Sequence, residues 1–207
     1  MARYIDAKCR QCRREQTKLY LKGAKCNSEK CPLTKRQTFP GVHSVTRKRP
    51  TSYGIQFREK QKVKRSYGML EKQFRRFYEM ASQEKGNTGV RLLQLLELRL
   101  DSVVYKLGFA QSKFTARQLV THGHITVNGK KLDIPSYVTK VGDIIGVKEI
   151  SAAKDFMKME AESLKEYKVP QWLEKGKGFE GRISQVPTRE MIDPGINEQS
   201  IVELYSR

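Results

Sequence analysis

The chain has 207 residues, with 41 lysines and arginines against 22 aspartates and glutamates, so its formal net charge is +19. A charge of that size in a short chain indicates a polyanionic partner, because the positive side chains otherwise repel one another. No stretch reaches the roughly 20 apolar residues that cross a bilayer, and Tyr, Phe, Gln and Asn are interleaved with the charges. The composition therefore favours nucleic acid and argues against a membrane partner.

The charge is unevenly distributed along the chain. Residues 1–95 carry +17, residues 96–150 carry +3, and residues 151–207 carry −1. The electrostatic contribution to nucleic-acid binding is expected mainly from the N-terminal half.

The four cysteines all lie in the first 31 residues, spaced Cys9-x2-Cys12 and Cys26-x4-Cys31 with 13 residues between the pairs. Two close pairs can place four thiolates around one zinc ion, which folds a segment too small to bury a core. Disulfides or free thiols are the alternatives, but the charged N-terminus resembles no export signal, so a reducing cytosol is expected. The pattern predicts one structural zinc ion with no vacant coordination position for catalysis.

Residues 32–50 contain three prolines and are predicted to form an extended linker, which carries the basic cluster Arg47-Lys48-Arg49. Thr51 or Ser52 is predicted to cap a helix that runs to about residue 67. On this helix a basic stripe recurs at helical spacing, formed by Arg58, Lys62 and Arg65.

The next helix is predicted from about residue 69 to residue 85. Its apolar face contains Leu70, Phe74, Phe77 and Ala81, and its basic face contains Lys72, Arg75 and Arg76. Phe74, Phe77 and Tyr78 could stack on bases, but their spacing favours a place in the core.

One long, strongly apolar helix is predicted from about residue 87 to residue 107, where Gly108 ends it. A short helix follows, capped by Ser112 and closed by Gly123. After Gly123 the spacing of the apolar residues changes from about 3.6 to 2 residues, which is the period of a β-strand. Asn128-Gly129 then predicts a two-residue hairpin turn.

Two further strands are predicted around Val138 and from residue 143 to residue 148. The rest of the chain, from residue 151 onward, is predicted to begin with a charged helix to about residue 167. A glycine-rich stretch at 172–181 and an amphipathic segment at 197–206 follow it. The fold class is therefore α+β, with two helices packed on a short antiparallel sheet after a mainly helical region.

Residues 99–136, RLDSVVYKLGFAQSKFTARQLVTHGHITVNGKKLDIPS, resemble the RNA-binding module named after the fourth protein of the small ribosomal subunit. That module also occurs in pseudouridine synthases, tyrosyl-tRNA synthetases and a heat-shock protein. The flanks, YGIQFREKQKVKRSYGMLEKQFRRFYE, GNTGVRLLQLLELRLD and INEQSIVELYSR, are similar to the bacterial-type ribosomal family, here in a form with a zinc knuckle.

The resemblance implies a cytoplasmic ribosomal protein that binds rRNA of the 5′ domain at a multi-helix junction, nucleates assembly of the subunit body and contributes to translational accuracy. It implies as partners the fifth and third small-subunit proteins, and mRNA near the entry channel. A free-standing RNA-binding translational repressor is the alternative. An enzyme is disfavoured, because the 57 residues after the module are too few for a catalytic domain.

Four regions are expected on these grounds: a zinc-knuckle arm at 1–45, a helical domain at 46–95, the RNA-binding module at 96–150, and a segment at 151–207 that packs back on the helical domain. In the module, the N-terminal end of the short helix and the hairpin tip are expected to converge. The predicted RNA contacts are Arg47, Lys48, Arg49, Arg58, Lys62, Arg65, Arg75, Arg76, Lys113, Arg117, Gln118, His122, Asn128 and Lys130. The predicted zinc ligands are Cys9, Cys12, Cys26 and Cys31.

Overall fold

A computed structural model describes residues 4–42, 49, 51–163, 167–176 and 178–206. The chain forms two compact units, one made of Met1–Leu92 with Pro194–Arg207 and the other of Leu93–Asp193. The second unit is thus inserted in sequence within the first. Over the described ranges, no helix combines the length and the apolar character needed to cross a membrane.

The N-terminal arm of the first unit contains three short helices, α1 (Lys8–Glu15), α2 (Ala24–Asn27) and α3 (Pro32–Lys35). The Arg13 guanidinium fixes the chain that follows them, since it donates to the carbonyl oxygens of Thr38 and Phe39, each at 3.1 Å. The arm is therefore ordered by polar contacts around α1 and buries few large apolar side chains.

Two longer helices follow, α4 (Ser52–Ser66) and α5 (Glu71–Gln83). The predicted cap is confirmed, because the Gly54 N–H donates to Thr51 Oγ1 at 3.1 Å. Phe74 and Phe77 are buried in the core, as their spacing predicted. Leu70 is 40% exposed, because it precedes α5 instead of lying within it.

The C-terminal helix α11 (Glu198–Tyr205) packs against α4 in the first unit. Tyr205 stacks on Tyr78, with ring centroids 4.3 Å apart, and its hydroxyl donates to Glu71 Oε1 at 3.2 Å. Burial raises the pKa of Glu71, but hydrogen bonds from Lys60 and Lys64 outweigh it and lower the pKa to about 2. This carboxylate therefore remains charged at neutral pH and joins α4, α5 and α11.

The predicted single helix from residue 87 to residue 107 is wrong, because the structure divides it into α6 (Thr88–Glu97) and α7 (Leu100–Lys106). Arg99 between them has extended backbone angles and forms an isolated bridge with Val138. The Leu100 N–H donates to the Tyr137 carbonyl at 2.8 Å instead of continuing the helix. The competing partner is nearly 40 residues away in sequence, so local periodicity does not reveal it.

The second unit continues with α8 (Lys113–Thr121), capped by Ser112 as predicted, since Thr115 N–H donates to Ser112 Oγ at 3.2 Å. The hairpin β1 (Ile125–Val127) and β2 (Lys130–Lys131) is confirmed, and β3 (Ile144–Val147) pairs antiparallel with β1. Around Val138 the structure has an isolated bridge in place of the predicted strand.

The predicted packing of the whole segment 151–207 on the helical domain needs correction. Two short helices, α9 (Glu149–Ala152) and α10 (Asp155–Ser163), precede strands β4 (Leu173–Lys175) and β5 (Glu180–Ile183), and a 3-10 turn spans Arg189–Met191. All of these belong to the second unit, and the sheet order is β2-β1-β3-β5-β4. Only residues 194–207 join the first unit.

Gly181 explains why the glycine-rich stretch can form strand β5. It pairs with Ile145 of β3, and an added Cβ would come within 2.3 Å of the Leu107 side chain. The absence of a side chain thus allows the sheet to approach α7 closely, and one hydrophobic core fills the second unit, with Trp172 only 1% exposed. A glycine that weakens the strand signal in the sequence is required by the packing.

Candidate nucleic-acid interface

The predicted basic stripe on α4 is partly neutralised within the protein. Arg58 Nη1 lies 3.1 Å from Glu15 Oε1, and Arg65 pairs with the same carboxylate. Lys62 lies 3.1 Å from Glu59 and donates to the Gly195 carbonyl. The stripe therefore also holds α1 and the C-terminal segment against α4.

The side chain of Glu15 is only 2% exposed, whereas those of Arg58 and Arg65 are 32% and 23% exposed. Burial raises the pKa of Glu15, while Arg58, Arg65 and Arg14 oppose that rise. The three arginines exceed the charge of this one carboxylate, so their surface remains positive and accessible to phosphate.

Helix α5 presents two predicted contacts directly to solvent. The Arg75 side chain is 70% exposed, and its Nε lies 3.1 Å from Glu79 Oε1. Arg76 is also exposed. Arg49 is exposed as well, whereas Arg47 and Lys48 lie outside the described residues. A surface ion pair such as Arg75–Glu79 contributes little energy, so Arg75 can exchange it for phosphate.

On α8, the predicted contact Arg117 is buried in the second unit, whereas Lys113 is partly exposed. Arg117 is 4% exposed, with Nη1 3.7 Å from Asp101 Oδ2. Burial lowers the pKa of Lys113 to about 8, although Glu97 opposes the change. Arg117 therefore supports α8 from beneath in the free protein, while direct RNA contact by Lys113 and Arg117 stays a prediction.

The Asp101 carboxylate, which pairs with Arg117, also binds a second buried cation, Arg99. Arg99 is fully buried, and its Nε and Nη2 lie 3.0 and 2.6 Å from the two carboxylate oxygens of Asp101. Asp101 thus binds one arginine from the break between α6 and α7 and one from α8. This arrangement fixes the orientation of α8.

Gln118, His122, Asn128 and Lys130 are exposed, as an RNA contact requires. Asn128 also joins the hairpin turn to the start of β3, because its Nδ2 donates to Asp143 Oδ1 and its Oδ1 accepts from the Ile144 N–H, both at 2.9 Å. Its φ of 51° is one that asparagine tolerates. Asn128 therefore has a structural role that its exposure alone does not reveal.

The second strand of the hairpin passes beside the C-terminal end of α8, and the predicted convergence of the hairpin tip with the N-terminal end of α8 stays a prediction. At Gly123 (φ +72°) an added Cβ would lie 2.4 Å from Lys131 Cε, so this glycine gives the lysine room to cross. Lys131 was not predicted as a contact, but this position puts a second exposed cation beside His122 and Lys130.

A surface pocket of about 310 Å³ borders this end of α8. It is lined by Thr115, Gln118, Leu119, His122, His124 and Phe156. The rings of His124 and Phe156 are 5.6 Å apart, and His124 Nδ1 is 2.9 Å from Ser151 Oγ. His124 thus has a defined packing role, whereas His122 is left exposed at the rim.

Acidification is expected to destabilise the second unit through His124. Desolvation, then the charges of Lys154, His122 and Lys148, lower the pKa of His124 below 6.5. The unfolded chain therefore takes up the proton first, so the contribution of His124 is complete above pH 6.5 and declines below it. Urea unfolding at pH 7.5 and 5.5, followed by Trp172 fluorescence, should show a smaller pH dependence in His124→Gln.

His122→Gln is the matched control, because His122 is exposed and its substitution leaves the pair of His124 and Ser151 in place. Because the charge of His122 is one of the smaller causes of the lowered pKa of His124, this variant should lose only a small part of the pH dependence, less than His124→Gln loses. An identical pH dependence in His124→Gln and the parent would contradict the assignment.

The four cysteines share one region of the arm. Cys12, Cys26 and Cys31 are buried, no disulfide joins the four, and each of the other three thiols acts electrostatically on Cys12. Desolvation is the main cause of the raised pKa of Cys12. Among the described residues, no group of three or more His, Cys, Asp or Glu side chains has the spacing of a bound ion.

The donor chemistry nevertheless suits a thiophilic metal. The Lys22 N–H donates to Cys26 Sγ at 3.3 Å. Burial raises the pKa of Cys31, but the backbone N–H groups of Leu33 and Thr34 outweigh it, so the net pKa is lowered. Backbone N–H groups directed at sulfur favour the thiolate form, which is the form that binds metal.

Comparison with known proteins covers the whole chain. Residues 3–97 match the model of the ribosomal protein S4/S9 N-terminal domain, and residues 98–145 match the S4 domain. The small ribosomal subunit protein uS4 of Thermoanaerobacter sp. (strain X514) is 56% identical over the full length of both chains. The proteins named uS4A of Clostridium novyi (strain NT) and Alkaliphilus metalliredigens (strain QYMF) are 54% and 53% identical, also over both full lengths. The chain therefore belongs to the family of small ribosomal subunit protein uS4.

Proposed function

We propose that the protein is a structural component of the small ribosomal subunit that binds its rRNA and acts in the cytoplasmic ribosome, not as an enzyme. The observation that supports this most strongly is the 56% identity to a uS4 protein over the whole of both chains. The net charge of +19, concentrated in the N-terminal half, suits a polyanionic partner.

The exposed lysine and arginine side chains provide most of the binding energy through contacts with phosphate groups. The C-terminal end of α8 contacts unstacked bases or 2′-hydroxyl groups of the RNA. A-form RNA has a major groove too deep and narrow for side chains, so backbone shape is the feature a rigid surface can recognise. The exposed or partly exposed groups available for this are Arg49, Arg58, Lys62, Arg65, Arg75, Arg76, Gln118, His122, Asn128 and Lys130. Arg117 acts from beneath by holding α8 in position, and the partly exposed Lys113 is a further group available for contact.

Within the subunit, we propose binding at a multi-helix junction of the 5′ domain, early in assembly of the body, with an effect on translational accuracy. The fifth and third small-subunit proteins and mRNA near its entry channel are the proposed neighbours. These assignments rest on membership of the family, and the two separate units suit a protein that contacts several parts of a folded RNA.

Neutralising the linker cluster is expected to make RNA binding less sensitive to salt. Each phosphate contact releases counterions, so the triple variant R47Q/K48Q/R49Q should reduce the slope of log K against log salt by about 2 to 3. Filter binding of a small-subunit rRNA fragment across a salt series measures this slope. The matched control K154Q/K168Q/K175Q, in the nearly neutral C-terminal region, should leave it unchanged, and an unchanged slope in the first variant would show that the cluster is solvated.

We also propose that Cys9, Cys12, Cys26 and Cys31 hold one structural zinc ion. Their spacing, their shared location in the arm and the N–H groups near Cys26 and Cys31 support this. Four thiolates fill the tetrahedral coordination of zinc, so the ion would supply shape and no reactive water.

A further inference from the structure

We propose that a second pocket, on the N-terminal arm, binds one unstacked nucleotide of the RNA; this deepens the proposed rRNA binding and depends on it. The pocket has a volume of about 250 Å³ and lies within the first unit. It is lined by Tyr4, Arg10, Gln11, Arg14, Pro40 and Arg65. Of these six residues, only Arg65 is among the RNA contacts predicted from the sequence.

The walls of the pocket are fixed by contacts outside it. Arg10 and Arg14 are four residues apart on α1, so they share one face of that helix. Arg13 donates to the carbonyl oxygens of Thr38 and Phe39, which precede Pro40, and so holds that part of the lining in place. Arg65 is brought in from α4 by its ion pair with Glu15. The site is thus already formed in the protein alone.

The charge around the pocket favours an anion. Three lining side chains are arginines, and the carboxylate that lies among them, Glu15, is shared by Arg14, Arg58 and Arg65. Even with Glu59 included, four arginines face two acids. Guanidinium groups bind phosphate oxygens in a bidentate way, so this excess suits a phosphodiester.

Gln11 indicates that phosphate is not the whole ligand. The residue is 8% exposed, it lines the pocket, and its Oε1 has no hydrogen-bond partner among the described residues. Leaving a buried acceptor without a donor destabilises the free protein, so a ligand that supplies the donor gains affinity. Phosphodiester oxygens offer no hydrogen-bond donor, whereas a base N–H or a ribose hydroxyl does. Rotation of the Gln11 side-chain amide can turn its Oε1 toward either of these donors.

The shape and the remaining side chains agree with a single nucleotide. A volume of 250 Å³ is below that of pockets for drug-sized ligands and excludes a base-paired helix. Tyr4 and the planar guanidinium groups are surfaces on which an unstacked base can lie. Phosphate, base and a hydrogen-bond donor together describe one nucleotide turned out of an RNA strand.

Base-specific chemical probing of the rRNA fragment bound to the full-length protein tests this proposal. With the parent protein, one base should be protected at its Watson–Crick edge. Gln11→Leu should remove that protection and weaken binding about five-fold, which is the size of one neutral hydrogen bond. Gln83→Leu, at an exposed position of α5, makes the same chemical change elsewhere and should retain both properties.

Arg10→Gln provides a second test at an exposed position, where folding is not at risk. It should weaken protection of the same base and reduce the salt slope by about 1. If the parent binds rRNA but no base changes its reactivity in either variant, the pocket proposal is overturned and rRNA binding stands. If the parent does not bind rRNA, both proposals fail.

Free mononucleotides distinguish the source of the ligand. The side-chain amide signal of Gln11, observed by NMR, should change on adding the rRNA fragment and remain unchanged with micromolar AMP, GMP, CMP, UMP or inorganic phosphate. A change with a mononucleotide but not with RNA would identify a site for a free nucleotide and overturn the assignment to RNA. A change with an acidic peptide alone would overturn it equally.

Discussion

Removal of the proposed zinc ion by a chelator is expected to expose the N-terminal arm to protease while the second unit stays folded. Structural zinc contributes about 10–16 kcal/mol to the folding of small zinc-finger peptides. The arm has little else to replace it, because α2 and α3 contain four residues each. Its lysines and arginines would then become accessible to trypsin.

Trp172 makes the experiment selective. It is the only tryptophan in the chain, it is 1% exposed, and it lies in the core of the second unit. Its fluorescence should not change on chelation, while new tryptic cleavage sites appear before residue 45. Loss of the buried Trp172 signal would contradict a division between arm and second unit, and unchanged cleavage would contradict the zinc site.

The pair Cys12→Ser and Ser28→Ala separates loss of the metal from general disturbance of the arm. Cys12 is a proposed ligand, whereas Ser28 is exposed and its hydroxyl donates to the Lys25 carbonyl at 3.1 Å. Cys12→Ser should be cleaved in the arm even without chelator, and Ser28→Ala should require it. The same cleavage in both variants would show that any change in the arm exposes it.

Local signals predicted well those elements that depend on neighbouring residues. Thr51 and Ser112 cap the helices they precede, and Asn128-Gly129 forms the hairpin turn. In each case the side chain or backbone preference acts within about three residues, so the sequence contains the whole cause. These signals, with the change in apolar periodicity from helical to strand spacing, predict the α+β class.

Long-range contacts account for the differences. Arg99 breaks a helix because its neighbours pair with the segment at 137–139, and Gly181 belongs to a strand because Leu107 leaves no space for a side chain. Arg117 was predicted to be exposed, since the apolar periodicity of a nine-residue helix does not reveal a buried carboxylate beside it. Asp101 is that carboxylate, and nothing near it in the sequence identifies its partner on α8.

Substituting Asp101 by asparagine is expected to lower the free energy of unfolding of the second unit by about 3–5 kcal/mol. Asp101 is 4% exposed and is the carboxylate that Arg99 and Arg117 share. Asparagine keeps the volume but removes the negative charge, so two buried guanidinium groups lose their common counterion. Urea unfolding followed by Trp172 fluorescence measures the loss.

Asp133→Asn is the matched control, because Asp133 is exposed in the same unit and its substitution should leave the unfolding midpoint almost unchanged. The combined variant R99M/D101L/R117L tests the cause. Well-packed apolar groups often replace buried ions without loss, so this variant should be more stable than Asp101→Asn alone. If it is not, the effect of Asp101→Asn comes from packing and not from unbalanced charge.

The same variants separate stability from RNA recognition. If Arg117 acts by supporting α8, the apolar variant should fold and retain the salt slope of RNA binding, because Arg117 makes no phosphate contact. If Arg117 instead reaches phosphate, the slope should decrease by about 1 even though the unit is folded. Arg117 would then be an RNA contact, as the sequence predicts. Its buried ion pair with Asp101 would be the conformation of the free protein, which RNA binding replaces.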